Sequence, residues 1–485
     1  MSPSNSKANH PADGPSALLL AYYGDDFTGS TDVMEALSQA GLRTVLFLKP
    51  PTPEQLAGFP GLRAFGIAGG SRTMSPEEME RELPPAFEAL KASSAPIIHY
   101  KLCSTFDSSP KIGSIGRAIE IGRRVFGDRP TPLVVGAPVL GRYVAFGNLF
   151  ARSGLDTEPS RLDRHPTMSR HPVTPMSEAD IRVILAEQTK LPVELVNVVK
   201  LDQAGSSRRE EALIQCGVRN AECGIGSLSL PTSAATNEGP PIILFDTLQE
   251  AHLPTIGQEI ERLAQTGQLF VAGSSGIEYA LVEHWRAAGR MPRSEPAAER
   301  PSPVKQIVAV SGSCSPVTDR QIANALRHGF EEISLHAKHL VKDDYLEAAR
   351  SSILLQSAQA PKAGKGLILH TSRGPEDARM LRGKKTVETA SARIGHALAV
   401  ILEDLLDMSG LRRAVVCGGD TSTHVARALG IEALEYLGPM APGSPLCKVH
   451  APGRIVDGCE IVFKGGQVGR DDFFRDVLNG GPQRD

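Results

Sequence analysis

The sequence predicts an α/β protein of two domains, each a mostly parallel sheet flanked by helices. Three observations lead there. Short, apolar, β-branched runs alternate with helical stretches along most of the chain. At 485 residues the chain is too long for one ordinary hydrophobic core. The alternation stops at Arg290–Lys305, which carries four prolines, mixed charge and no periodicity, and then starts again.

In chain order, residues 1–16 are polar and rich in Ser, Pro and Asn, and read as a disordered tail without the apolar core of a signal peptide. Residues 17–289 form the first predicted domain. Its strands are expected at Ala17–Tyr23, Thr44–Leu48, Ala64–Ala68, Ile97–Lys101, Leu133–Gly136, Ile242–Asp246 and Phe270–Ala272. Helices are expected at Ser30–Gln39, Ile112–Phe126 and Ile277–Ala288. Residues 290–305 read as a solvated linker, or else as a long surface loop within one domain. The second domain, 306–485, has predicted strands at Gln306–Val310, Glu332–Leu335, Gly366–His370, Ala414–Cys417 and Glu460–Lys464, and a helix at Thr386–Leu406. Ser153–Asp180 stands apart, aperiodic and dense in Arg and His, including His165 and His171. A loop of that length in a compact protein is either functional or disordered.

Composition narrows the partners. With 52 basic and 55 acidic side chains the formal net charge is -3, so nucleic acid is not an expected partner. No apolar run reaches the roughly 18 to 20 residues of a membrane span. The seven cysteines form no CxxC pair, which argues against a disulfide framework or structural zinc and fits a reducing cytoplasm. Composition leaves open whether the chain forms a homo-oligomer.

In parallel sheets ligands collect at the carboxyl ends of strands, so the residues after each strand carry the chemistry. The first strand leads into Gly24-Asp25-Asp26-Phe27-Thr28-Gly29-Ser30-Thr31-Asp32. A carboxylate there can accept a hydroxyl, take its proton or hold a cation. It can also simply cap the following helix, but three acidic and three hydroxyl side chains exceed what a cap needs. Arg72 and Lys101 sit at other strand ends, placed to bind a carboxylate; Ser104 lies just beyond Lys101. Together they describe a polar pocket for a small, hydroxylated anion. Cys103 as a nucleophile has no adjacent base, and buried free cysteine is the commoner state.

The second half is glycine-rich at its strand ends: Ser311-Gly312-Ser313-Cys314-Ser315, Thr371-Ser372-Arg373-Gly374, Gly418-Gly419-Asp420-Thr421-Ser422 and Gly465-Gly466-Gln467. Glycine lets backbone approach phosphate, and a helix N-terminus offers free N–H groups. Asp420 can hold Mg²⁺ through water. No loop has the Walker A spacing and no GxGxxG opens the first half, which excludes the commonest nucleotide folds.

Six motifs in order resemble the four-carbon acid sugar kinase family: Gly24–Gly29, Tyr100–Asp107, His171–Met176, Ser311–Ser315, Gly418–Ser422 and Lys464–Gly466. The resemblance spans about Ala21 to Leu478. It implies an N-terminal domain that binds a small acidic sugar, a C-terminal domain that binds ATP with Mg²⁺, and an active site in the cleft between them. Members phosphorylate D-threonate, D-erythronate, 3-oxo-tetronates or the branched 3-oxo-isoapionate. By that analogy Asp26, Arg72 and Lys101 contact the substrate, with Ser104 and His171 near it. Ser311, Gly418, Gly419, Asp420, Thr421, Gly465 and Gly466 contact the nucleotide, and Asp420 anchors the metal. Asp26 is the expected general base, with Asp25 second. Arg161–Arg170 makes the middle motif longer and more basic than the oxo-tetronate type, which marks the 3-oxo-isoapionate type as one to test. A binding protein without turnover would need the glycine loops but not the Asp25-Asp26 pair. A metal-assisted hydrolase or lyase would leave the four loops unexplained.

Overall fold

The computed structural model describes residues 18–153, 157–170, 174–204, 239–291, 300–357, 365–380 and 384–482. The predicted tail therefore lies outside the described residues, as do His171 and positions 292–299 of the predicted linker.

The apolar runs become the central strands because their residues are buried on both faces, as parallel strands under helices require. Leu20–Gly24, Ala64–Ala68 and Ile97–Lys101 are buried throughout. In the N-terminal half the strands lie in the order Thr44–Phe47, Ala64–Ala68, Leu20–Gly24, Ile97–Lys101, Leu269–Gly273, Thr131–Val134, Ile242–Phe245 and Val193–Val196, all parallel. In the C-terminal half Phe330–Ser334, Gly366–His370, Ile307–Ser311, Arg413–Cys417 and Glu460–Lys464 are likewise parallel neighbours. The predicted strands are present, with ends displaced by a few residues.

The hairpin Ala433–Ala441/Ser444–His450 is not among the predicted strands. Its strands contain Gly, Pro and Ser and pair with register shifts, so they lack the β-branched run that marks a strand. This hairpin adds to Glu460–Lys464 on one side and, antiparallel, to Thr44–Phe47 on the other. The two half-sheets thus run on as one sheet of fifteen strands. The seam is reinforced by Arg43 paired with Glu435 at 2.8 Å and by the Thr31 hydroxyl donating to the Gly443 carbonyl at 2.9 Å. The seam therefore joins the halves independently of the stretch 290–305. The described part of that stretch is itself docked, with the Val304 N–H donating to the Leu478 carbonyl.

A small antiparallel sheet is formed by Arg142–Ala145, Asn148–Ala151 and Ser160–Arg161, of which only the last, two residues long, falls in the Ser153–Asp180 segment expected to be aperiodic. Among the described residues no helix is long and apolar enough to cross a membrane.

Candidate active site

Register places the four glycine loops in one row. Ser311 stands beside His370 and Cys417, and Cys417 beside Lys464, so each strand ends at the same level and its loop rises from the same edge. The loops enclose a cavity of about 580 Å³ lined by Gly312–Pro316, Thr371, Gly418–Thr421 and Gly466–Gln467. Ala337, Met380 and Ile394 give it an apolar wall, which the sequence reading missed because these residues lie on separate elements far apart in the chain. The helix Gly419–Ala428 starts at the cavity with no side-chain cap, leaving its first N–H groups for a ligand. Gly418 has φ +115°, and a Cβ on Gly312 would fall 2.3 Å from the Thr421 hydroxyl, so both positions need glycine.

Two expectations change here. Ser311 is fully buried at the strand end; its hydroxyl accepts the Ser313 N–H at 3.3 Å, so it shapes the loop from behind while Gly312 and Ser313 line the cavity. Gly466 and Gln467 line it where Gly465 does not. Lys464 is also turned inward: its ammonium donates to the carbonyls of Gly465 and Val468, at 3.0 and 3.2 Å, and burial lowers its pKa. Asp420 is exposed on the cavity wall, and among the described residues no three His, Cys, Asp or Glu side chains form a metal cluster. A lone carboxylate suits Mg²⁺, which is usually held by one or two carboxylates together with substrate phosphates and water.

The acidic end forms in the same way. Gly24 pairs with Ala68 and Lys101, and Lys101 with Gly273, again aligning strand ends. Asp25 is buried and binds Arg72 through both oxygens, at 3.1 Å to Nε and 2.7 Å to Nη2. Burial pushes the Asp25 carboxyl up, against the pull of the Arg72 guanidinium. Asp26 Oδ1 accepts the Gly29 N–H at 2.8 Å and Arg72 Nη2 at 2.9 Å, so it caps the helix Phe27–Gln39 and joins the ion cluster at once. The Lys101 ammonium lies 3.5 Å from Asp32 Oδ2 and donates to the Leu102 carbonyl at 3.3 Å. Asp32 also accepts from Ser275. It sat in the acidic run of the sequence, but nothing local showed that it would face Lys101. Arg72 is thus already bound by two carboxylates, more than an open clamp would be. The Phe27 ring meets Phe463 edge-on at 5.2 Å, which brings the Asp26 turn against the strand that leads into Gly465.

Burial pushes the Cys103 thiol up to about 12, which argues against a nucleophilic role. In the 153–180 segment Arg161 pairs with Asp163, and His165 Nδ1 accepts the N–H groups of Thr167 and Met168. These roles are local, and no described residue of that segment lines the cavity.

Glu35 ties the halves together: its carboxylate accepts the Gly443 N–H at 2.7 Å. Burial, with help from Asp32 and against the Gly443 amide, raises its pKa to about 8. A carboxyl raised above its unfolded value contributes stability that is complete below about pH 4.5 and is lost as pH rises through about 8. Glu35→Gln is therefore expected to flatten the fall in melting temperature across that window; an unchanged profile in thermal unfolding would reject the role.

The sequence matches a sugar-binding N-terminal domain over residues 20–281 and a nucleotide-binding C-terminal domain over 308–474. It is 44% identical to 3-oxo-isoapionate kinase of Paraburkholderia graminis, over 96% of this chain and 95% of that protein. The family is settled by that match. The chain belongs to the four-carbon acid sugar kinase family. This sugar acid kinase is also 31% identical to 3-oxo-tetronate kinase of Pseudomonas fluorescens, over 95% of this chain and 96% of that one. Its fold matches a crystal structure of a Salmonella typhimurium LT2 protein with a TM-score of 0.71 at 24% identity, over 94% of this chain and 98% of that one. The enzyme is a phosphotransferase with an alcohol group as acceptor. The glycine-loop cavity lies within its nucleotide-binding domain, and the Asp25–Arg72–Asp26 cluster within its sugar-binding domain.

Proposed function

We propose that this sugar acid kinase transfers the γ-phosphoryl group of ATP to a hydroxyl of a small four-carbon or branched sugar acid. The observation that carries the reading is the row of four aligned glycine loops around one cavity, abutting a carboxylate turn through Phe27 and Phe463. The similarity to 3-oxo-isoapionate kinase makes a branched 3-oxo acid the first candidate substrate.

Phosphoryl transfer asks a protein mainly to position the reactants and stabilise charge. The loop N–H groups at Gly312–Ser315 and Gly418–Thr421 are suited to the triphosphate, and the apolar wall to the base. When bound, Mg²⁺ would neutralise phosphate charge, and Asp420 on the cavity wall is the carboxylate that would hold it. Asp26 Oδ2 makes no hydrogen bond among the described residues, which leaves it for the proton of the acceptor hydroxyl. Arg72 Nη1 likewise has no partner there, and with Lys101 it supplies positive charge for the sugar acid's carboxylate.

A coupled ADP-release assay with D-threonate, D-erythronate, 3-oxo-tetronate and 3-oxo-isoapionate tests the reading. ATP binding with silence across the panel would overturn it in favour of a binding protein. Gly312→Val should raise the KM for ATP about tenfold or more, since even a Cβ collides with Thr421, while the KM for the acid stays near its parent value. An unaltered ATP KM would remove this loop from the nucleotide site.

A further inference from the structure

A second cavity, about 710 Å³, lies between the helices Phe27–Gln39 and Gly276–Ala287. Its size falls in the range of small-molecule sites, about 300–1,000 Å³. Ser104 is on its wall at the strand-end edge, and Gly443 closes it from the C-terminal half, so both halves build it. Asp32 belongs to this wall and, through Lys101, to the ion cluster at Asp26.

The floor carries a buried acid that, among the described residues, has a neighbour on one oxygen only. Glu278 is fully buried, and neither of its carboxylate oxygens has a hydrogen-bond partner among the described residues. His99 stands behind it, with Nδ1 3.2 Å from Oε1 and Nε2 3.1 Å from the Gly273 carbonyl. A carbonyl only accepts, so Nε2 carries a proton. Oε1 has Nδ1 as a neighbour. Oε2 is left with none. Burying such an oxygen is costly unless a ligand or water supplies the donor.

We infer that this cavity receives the part of the sugar acid remote from the reacting hydroxyl, with Asp32 accepting hydrogen bonds from its other hydroxyl groups and Glu278 acting as a positioning residue beneath. This inference rests on the kinase reading above. The lining also carries Arg142 and Arg286, the latter paired with Glu283, but around Asp32 and Glu278 the carboxylates accept from hydroxyl groups and repel an anion, so the acid's own carboxylate is directed away from them and towards Arg72 and Lys101. The width of the cavity then sets how well a branched acid is tolerated.

The test is steady-state kinetics on the full chain with D-erythronate, D-threonate and 3-oxo-isoapionate, using Asp32→Asn, Glu278→Gln and the wall-filling Ala36→Phe. Loss of one charge-assisted hydrogen bond should raise the sugar-acid KM of Asp32→Asn about 10- to 100-fold, with the KM for ATP unchanged. Ala36→Phe should reduce kcat/KM for the branched acid about tenfold more than for the linear ones. If Glu278→Gln fails to fold in a thermal melt, the other two variants still decide. Unchanged acid KM in Asp32→Asn, or equal losses for branched and linear acids in Ala36→Phe, would overturn the inference. Calorimetric titration of the acids without nucleotide separates the two readings. Binding to the parent that Asp32→Asn weakens, without any turnover, would leave the cavity standing and sink the kinase reading. Turnover that Asp32→Asn leaves untouched would do the reverse. A parent that neither binds nor converts any of the acids would overturn both.

Discussion

Asp26→Asn is expected to lower kcat by about two orders of magnitude or more, the usual cost of losing a general base. The substitution is a clean test because asparagine caps helices as well as aspartate does. Its amide oxygen can still accept the Gly29 N–H and the Arg72 guanidinium, the two bonds now made by Oδ1. What disappears is the basic oxygen at Oδ2. Melting temperature and ATP affinity should therefore stay near the parent values while ADP release collapses. A near-parent rate would reject Asp26 as the base. Asp25 is a poor substitute: it is 4% exposed and both of its oxygens are held by Arg72. Gly29 bears on the same point, since a Cβ there would lie 2.5 Å from Asp26 Oδ1 and push the carboxylate out of place.

Arg72→Ala is expected to damage the fold as well as the site. From sequence, Arg72 reads as a carboxylate clamp whose loss mainly weakens substrate binding. In the structure it neutralises Asp25 and Asp26. Removing one partner of a buried pair leaves the other charge uncompensated, at a cost of about 3–5 kcal/mol. Burial already pushes Asp25 up, and without the guanidinium it would rise further. A raised carboxyl pKa gives stability that is present at low pH and lost as pH increases, so the variant's deficit should be largest at neutral pH and shrink on acidification. Chemical denaturation at neutral and mildly acidic pH measures this. An Arg72→Ala protein as stable as the parent, and with the parent's acid affinity, would show that the pair matters to neither folding nor binding.

Much of the site was legible because its signals are local. Glycines at 312 and 418, a carboxylate pair after the first strand and cations at 72 and 101 each follow a strand end, where parallel sheets hold their ligands. Period and turn chemistry suffice to find such positions. The sequence did not reveal that Ser311 faces inward, that Lys464 is spent on its own loop's carbonyls, or that Met380 and Ile394 share a wall with Gly418. These facts depend on which way a side chain points and on contacts across distant segments. The basic segment around Arg161 and His165 looked functional by composition, yet Arg161 pairs with Asp163 and His165 Nδ1 accepts backbone N–H groups inside the segment, while the buried His165 Nε2 has no hydrogen-bond partner among the described residues.

By itself the sequence determined the α/β class, the positions of the parallel strands apart from Val193–Val196, and the glycine and acidic loops at their ends, while the family rested on the resemblance of six motifs. All of these follow from short-range pattern: burial on both faces, residues that punctuate turns, and glycine where backbone must approach a ligand. Only the tertiary structure decided how the halves join and what each charge faces. The hairpin 433–450 carries no strong strand signal of its own, yet it gains its hydrogen bonds by bridging Thr44–Phe47 and Glu460–Lys464. The buried Glu278, beside His99 and close to Lys101 only in space, became visible in the same way. Burial and pairing are properties of the assembled fold, because the energy of a buried charge depends on neighbours that the chain order does not name.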